Sequence, residues 1–212
     1  MPNKLLPSSG PGRPKDLAKR QAILEAAKTL FLRHGYDGSS MDAIATEAGV
    51  SKLTVYSHFT DKETLFAAAV KAKCQEQLPE LFFELADEIP IETVLLNIAR
   101  GFHSLINSSE SLELHRVMVA QGNQNPKLSQ TFYQAGPQRL LDEMASLLSR
   151  AAQAGKLCID DPHNAADQFF CLIKGGANFR LLIGCGAPLQ GDAAERHVEA
   201  AVAMFMRAYR AS

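Results

Sequence analysis

The chain has 212 residues, 46% of them hydrophobic and 21% charged, the make-up of an ordinary globular protein with room for one large or two small domains. Its apolar runs, such as "LFAAAV" (65–70) and "FFCLI" (169–173), are too short to cross a bilayer, and no apolar stretch follows a basic start. Neither a membrane anchor nor a secretory signal is therefore expected, and the cytoplasm is the expected location. The net charge of −1 hides an asymmetry: residues 1–74 carry 11 Lys+Arg against 7 Asp+Glu, and residues 75–212 carry 11 against 16. That distribution suggests a basic working end on an acidic body.

In chain order, "MPNKLLPSSGPGRPKD" (1–16) is rich in Pro, Gly and Ser with basic residues among them. It reads as a flexible arm, either a tail without a role or one whose Arg13 and Lys15 reach a nucleic-acid groove. From Leu17 the apolar spacing turns helical, with Ile23, Ala27, Leu30 and Phe31 on one face and Gly35 as the stop. A second, short helix starts in "SSMDAIATEAGV", capped by Ser39 with Asp42 or equally by Ser40. Ser51 caps a third helix that ends near Phe59, and Thr60 with Glu63 reads as a capping box for a long fourth helix. Five further helices are expected near 91–107, 111–121, 127–153, 162–183 and 192–210, with Pro90, Pro126, Pro162 and Pro188 at their boundaries. No segment alternates for long enough to demand a strand. The expected fold is all-α with about nine helices: an arm (1–16), a three-helix unit (17–76) and a larger bundle (77–212).

The third helix, in "GVSKLTVYSHF" (49–59), spends its middle on polar residues. On a helical wheel Val55 and Phe59 share one face, while Leu53, Ser57, Tyr56 and Thr54 occupy the other, with Lys52 and His58 on the flanks. A short helix that follows another through a tight "AGVS" turn is a helix-turn-helix. Its chemistry suits a DNA major groove: Lys52 for guanine acceptors, Thr54 and Leu53 for bases and thymine methyls, and Tyr56, Ser57 and His58 for phosphates. Lys62 at the next helix start, and Ser39 and Ser40 at the second, would hold further phosphates. A plain polar surface helix fits wheel and charge equally well.

The stretch "ILEAAKTLFLRHGYDGSSMDAIATEAGVSKLTVYSHFTDKETLFAAAV" (23–70) resembles the DNA-binding domain of the TetR/AcrR family of bacterial transcriptional regulators. The body resembles the branch ending in a "GGANFRLL"-type helix, some of whose members control efflux-pump genes. The resemblance implies a homodimer whose paired third helices enter successive major grooves of a palindromic operator. It marks Ser40, Ser51, Lys52, Leu53, Thr54, Tyr56, His58 and Lys62 as DNA-facing, and it implies a repressor of efflux or stress genes.

In the body, the last two helices are the expected dimer seam. One carries Phe169, Ile173 and Gly176, the other Val198, Val202, Phe205 and Met206; the same stripes would also serve packing within one subunit. The resemblance implies that they form a four-helix bundle between subunits. Phe102, His103, Leu114, His115, Met118, Phe132, Tyr133 and Phe170 are the candidate lining of a cavity for a small apolar or amphipathic effector. His103 and His115 read as hydrogen-bonded histidines rather than metal ligands, and neither metal nor cofactor is expected. Cys74, Cys158, Cys171 and Cys185 have no zinc or redox spacing and read as reduced, mostly packed thiols. No convergent acids, bases or nucleophile motif argues for an enzyme. The remaining alternative is a helical interaction protein that regulates through a protein partner. For a ligand-responsive regulator, effector binding would shift the population toward a geometry that no longer fits DNA, with the long fourth helix as the lever.

Overall fold

Ser40, Ser51, Asp61, Ser108, Asn125 and Asp161 each accept a hydrogen bond from the backbone N–H three residues further on, and each marks the start of a helix. The computed structural model describes residues 13–79, 83–85 and 88–211. Its helices are α1 (Arg13–His34), α2 (Met41–Glu47), α3 (Lys52–His58), α4 (Lys62–Gln77), α5 (Ile91–Asn107), α6 (Ser109–Gln121), α7 (Pro126–Tyr133), α8 (Arg139–Gln153), α9 (Pro162–Leu182) and α10 (Asp192–Tyr209). A π-helical stretch, Gln134–Gln138, joins α7 to α8, so the rod expected at 127–153 is continuous. Among the described residues β pairing is limited to one isolated bridge, Leu157 with Arg210. The fold is all-α, as the periodicity indicates.

The starts of α1 and α4 differ from the sequence reading, and the choice of α2 cap that it left open is decided. Helix α1 begins at Arg13, so Arg13 and Lys15 belong to a helix and not to an arm; residues 1–12 lie outside the described residues. Ser40, not Ser39, caps α2. Asp61 rather than Thr60 caps α4, because its carboxylate accepts from the Thr64 N–H at 2.7 Å, and a charged acceptor at a helix N-terminus is favoured over a hydroxyl.

The chain divides into two compact units at Ala69 and Val70, and α4 begins in the first and ends in the second. In the first unit Ile23, Ala27, Ile44, Val55 and Leu65 are fully buried. Phe31, Tyr36 and Phe66 form a ring cluster with centroids 5.3–5.9 Å apart, and the Arg20 guanidinium lies 5.0 Å from the Phe59 ring centre. Ser39 is only 2% exposed, and its hydroxyl is shared between the carbonyls of Leu30 and Gly35. It ties the end of α1 to the start of α2.

In the second unit α5, α8, α9 and α10 surround one core. Phe169, Ile173, Val202, Leu147 and Leu148 are fully buried there, and Phe169 meets Phe205 edge-on at 5.2 Å. This corrects the expected dimer seam. Phe169, Ile173, Val198, Val202 and Phe205 are core within a single chain, Met206 packs against them, and of the seven only Gly176 is exposed. The reason is that α9 and α10 pack on each other and on α5 and α8, which turns their large apolar residues inward.

Helix α9 is broken at Gly175, whose φ of 53° and ψ of −174° suit glycine and strain any other residue. Just before the break, the Ile173 carbonyl accepts from His197 Nε2 at 2.8 Å. Asn178 bonds the Ile106 carbonyl and Asn107 Oδ1, and Arg116 closes the carbonyls of Leu181 and Leu182.

Phe169→Ala removes the ring at the centre of this core and should destabilise the protein by about 3–5 kcal/mol. Urea unfolding of the two proteins measures it. A loss well under 1 kcal/mol would show that the body core is not organised around this residue.

Candidate functional site

Helix α2 ends in a turn that sets α3 by backbone bonds alone. Gly49 adopts a φ of 65°; its N–H reaches the Thr46 carbonyl at 3.1 Å, and the Val50 N–H reaches that of Ala45 at 3.0 Å. This paired pattern is a Schellman motif. Ser51 follows at once, accepting from Thr54 N–H at 3.1 Å and lying 2.8 Å from the Thr54 hydroxyl. Val55 and Phe59 are 0% and 2% exposed, whereas Leu53 is 80% and Tyr56 42% exposed. Ser51, Lys52 and Ser57 are also exposed and Thr54 half-buried. One narrow face therefore carries a phenol, hydroxyls, an ammonium and an exposed leucine.

The flanking groups are more committed than the sequence suggests. Lys52 Nζ lies 2.7 and 2.9 Å from the Asp42 carboxylate oxygens, which raises its pKa through the hydrogen bond and the charge. The His58 side chain is only 10% exposed, and its Nε2 lies 3.1 Å from Asp16 Oδ1 without the angle of a hydrogen bond. Lys62 donates to the Tyr36 carbonyl at 2.8 Å and rests over the Tyr36 ring at 4.2 Å. Ser40 keeps its place on the surface: its oxygen accepts from Ala43, and its own proton remains available to an acceptor. Ser39 drops out of the surface set, because its buried hydroxyl is already spent on two carbonyls.

The second unit holds a cavity of about 190 Å³. Phe102, Leu114, His115, Phe132, Tyr133 and Phe170 all line it, as expected. His103 and Met118 do not. His103 lies 5.8 Å from His197, and burial together with the charge of that neighbour lowers its pKa; Met118 is buried away from the cavity wall. The sequence reading missed Lys73, Cys74, Asp167, Cys171 and Lys174, which bring charges and thiols to the wall. Asp167, Phe170, Cys171 and Lys174 recur at i, i+3, i+4 and i+7 along α9, a spacing that would have grouped them on one face.

Burial dominates the chemistry of this wall. The Cys74 thiol is pushed up to about 11 by desolvation, so it stays protonated near neutral pH. His115 is lowered, first by burial and also by the charge of Lys174. All four cysteines are free thiols, but Cys158, Cys171 and Cys185 are exposed and Cys74 half-buried. The expectation of mostly packed thiols is thus corrected: Cys158 and Cys185 lie in connecting segments, and Cys171 is exposed on α9. Among the described residues no group of His, Cys, Asp and Glu could hold a metal ion, and no helix is long and apolar enough to cross a membrane.

Comparison with known proteins agrees with both units. Residues 23–69 match the family described as bacterial regulatory proteins, tetR family, and residues 93–211 match the AefR-like transcriptional repressor C-terminal domain. The transcriptional repressor AcnR of Corynebacterium efficiens is 26% identical over 171 residues, covering 80% of this chain and 85% of its own. A TetR-family regulator from Mesorhizobium loti superposes with a TM-score of 0.74 at 32% identity, covering 92% of this chain and 98% of that one. The flavonoid-responsive regulator FrrA gives a TM-score of 0.70 at 32% identity, over 91% and 97% of the two chains.

The two depressed histidines set a pH dependence. His103 and His115 are held neutral in the fold below their ordinary value of 6.5. The unfolded chain therefore takes up protons that the folded chain resists, and stability falls as pH drops through about 6.5 toward the folded values. The urea midpoint should be lower at pH 5.5 than at pH 7.5, and the difference should shrink in a His103→Gln, His115→Gln double variant. An equal difference in the variant would place the pH sensitivity elsewhere.

Proposed function

The chain belongs to the TetR family of bacterial transcriptional regulators, and from that premise we infer that it is a homodimeric, ligand-responsive repressor of cytoplasmic location. A DNA-binding transcriptional regulator is what its relatives are. The finer reading rests chiefly on one observation: α3 exposes Ser51, Lys52, Leu53, Tyr56 and Ser57 along one face while Val55 and Phe59 anchor the other. A rigid helix of that kind can enter a major groove. Leu53 and Thr54 then meet base edges, and Tyr56, Ser57 and Ser40 meet phosphates. Lys52 must exchange Asp42 for DNA, and Asp42 opposes that exchange. Lys62 acts through the start of α4, which it steadies on Tyr36. His58 braces α3 against α1, and Arg13 and Lys15 would approach DNA from the first turn of α1.

Dimerisation falls to the outer faces of α9 and α10. Phe179 is 62%, Ile183 59% and Met204 51% exposed, with exposed Gly176 and half-buried Leu172 on the same helices. Large apolar groups left out in this way support an interface between copies. The two third helices of such a dimer would read the halves of a palindromic operator. The cavity of the second unit is the proposed effector site. Its aromatic lining supports a small apolar or amphipathic ligand, and a solved relative named for its response to flavonoids supports small-molecule control. Release from DNA follows if the effector favours a dimer geometry whose reading helices no longer match the groove spacing. The shift cannot exceed the effector's differential affinity for the two geometries. Regulated genes for efflux of the effector, or for the stress it causes, complete the reading.

The test is binding to the DNA upstream of the protein's own gene against a scrambled duplex, by fluorescence anisotropy, with a genome-wide selection of bound fragments alongside. Affinity should fall roughly 10³-fold between 50 and 200 mM salt. Tyr56→Ala should weaken binding about tenfold or more at either salt without changing the unfolding midpoint. Phe179→Asp with Met204→Asp should give a folded monomer by sedimentation and lose operator binding. A wild-type monomer, or a folded dimer that selects no DNA, would sink the reading and turn attention to a protein partner.

A further inference from the structure

His115 carries the most definite chemistry in the cavity. Its Nδ1 lies 2.7 Å from the Ser111 carbonyl oxygen. A carbonyl only accepts, so the ring proton is on Nδ1, and the neutral ring presents Nε2 as a bare acceptor. The ring cannot turn freely, because it also meets Phe132 edge-on at 5.4 Å and 89°. Burial and the nearby positive charge of Lys174 both keep it neutral. His115 and Lys174 border the 190 Å³ cavity and also a second one of about 220 Å³. Lys174 has no ion pair among the described residues. Asp167, the acid on the same face of α9, lies two turns away, about 10 Å along the axis, whereas Lys73 is already offset by Glu110 at 3.9 Å.

We propose that the ligand of this cavity is a phenol whose hydroxyl donates to His115 Nε2, with the Lys174 ammonium beside the phenolic oxygen. The proposal rests on the cavity being the effector site and names the class of molecule that the site takes. Other classes fit the same atoms less well. A carboxylate offers only acceptors and would face the Nε2 lone pair. An amine would donate, but its charge would meet Lys174. An ether or hydrocarbon would cover Nε2 without supplying a donor, which costs the desolvation of a polar group. A phenol supplies the missing donor, and Lys174 stabilises the charge that builds on its oxygen as the bond tightens. The remaining wall is aromatic: Phe102 and Phe170 pack at 4.3 Å, and Phe132 and Tyr133 complete it. A cavity of about 150 Å³ holds benzene, so 190 Å³ suits one ring with substituents or two fused rings. The second cavity offers space for groups beyond His115.

Calorimetric titration of the full-length protein with three ligands of one ring system tests this: 2-naphthol, 2-methoxynaphthalene and 2-naphthoate. 2-Naphthol should bind about tenfold tighter than the methyl ether, the worth of one hydrogen bond, and naphthoate should bind worst. His115→Phe should erase the preference for the naphthol while retaining the ether, which shows that the cavity is still formed. His115→Gln, whose amide oxygen can accept, should restore part of it. Equal binding of naphthol and ether, or tightest binding of naphthoate, overturns the phenol assignment and leaves the cavity as an effector site. Binding of none of the three overturns the effector reading of the cavity, and the phenol assignment with it.

Discussion

Seven residues make barely two turns, and an isolated helix of that length does not persist in water, so α3 exists because its ends and one face are held from outside. The Schellman turn at Gly49 delivers the chain, Ser51 closes the first turn, and Val55 and Phe59 sink into the core of the first unit. The turn and the two anchors use backbone groups and inner-face side chains, and of the side chains among these holds only that of Ser51 is exposed. Leu53 and Tyr56 on the outer face are thereby released from structural duty, and an 80% exposed leucine beside a phenol is intelligible as chemistry kept for a partner. The same economy appears around it. His58 lies against Asp16 of α1, Lys62 donates to the Tyr36 carbonyl and Ser39 is buried in the α1–α2 turn, so side chains that look like contact residues in the sequence also help to hold α3 and α4 in place.

The body depends on a different compromise, made in α9. Its inner face supplies Phe169 and Ile173 to the core, a second face supplies Phe170, Cys171 and Lys174 to the cavity, and its outer face leaves Phe179 in solvent. A straight helix of 21 residues would carry these three stripes at fixed angles. The break at Gly175 re-aims the last turns, and it is stabilised by groups from three other helices: His197 on α10, Asn107 on α5 and Arg116 on α6. A side chain at Gly175 would come within 3.1 Å of the His197 ring, so the glycine is required twice, for its φ and for the approach of its cap.

The elements themselves were legible because their signals are local. Caps, prolines at first turns and apolar spacing placed the five body helices within a residue or two, and the rod at 127–153 was right even though Gln134–Gln138 is π-helical. The helix-turn-helix was legible because its turn and anchors fall within ten residues. What failed was partnership. A wheel shows that Phe169, Val202 and Phe205 share apolar faces but not whether another chain or their own neighbours cover them, and here the neighbours do. Ser39 and Ser40 are adjacent hydroxyls with opposite fates, decided by the path of α1 nine residues earlier. The charged cavity residues were missed for a related reason: a charge on a helix does not by itself say whether solvent or a cavity faces it, and only the packing of α4 and α9 in the second unit brings Lys73, Asp167 and Lys174 to one wall.

That wall is also packed tightly against α4. The π-helical stretch brings Gly136 so close to α4 that a methyl there would stand 3.1 Å from Val70 and 3.3 Å from the Cys74 sulfur, and Val70, Cys74, Tyr133 and Pro137 all face the cavity as well. A side chain that moves to admit a ligand at Tyr133 or Pro137 has no slack to absorb the movement at Gly136. Packed interiors respond to such a demand by shifting whole elements rather than compressing. On the reading proposed here the element that shifts is α4, and α4 is also the chain that leads back to Lys62, the residue seated on Tyr36 in the first unit.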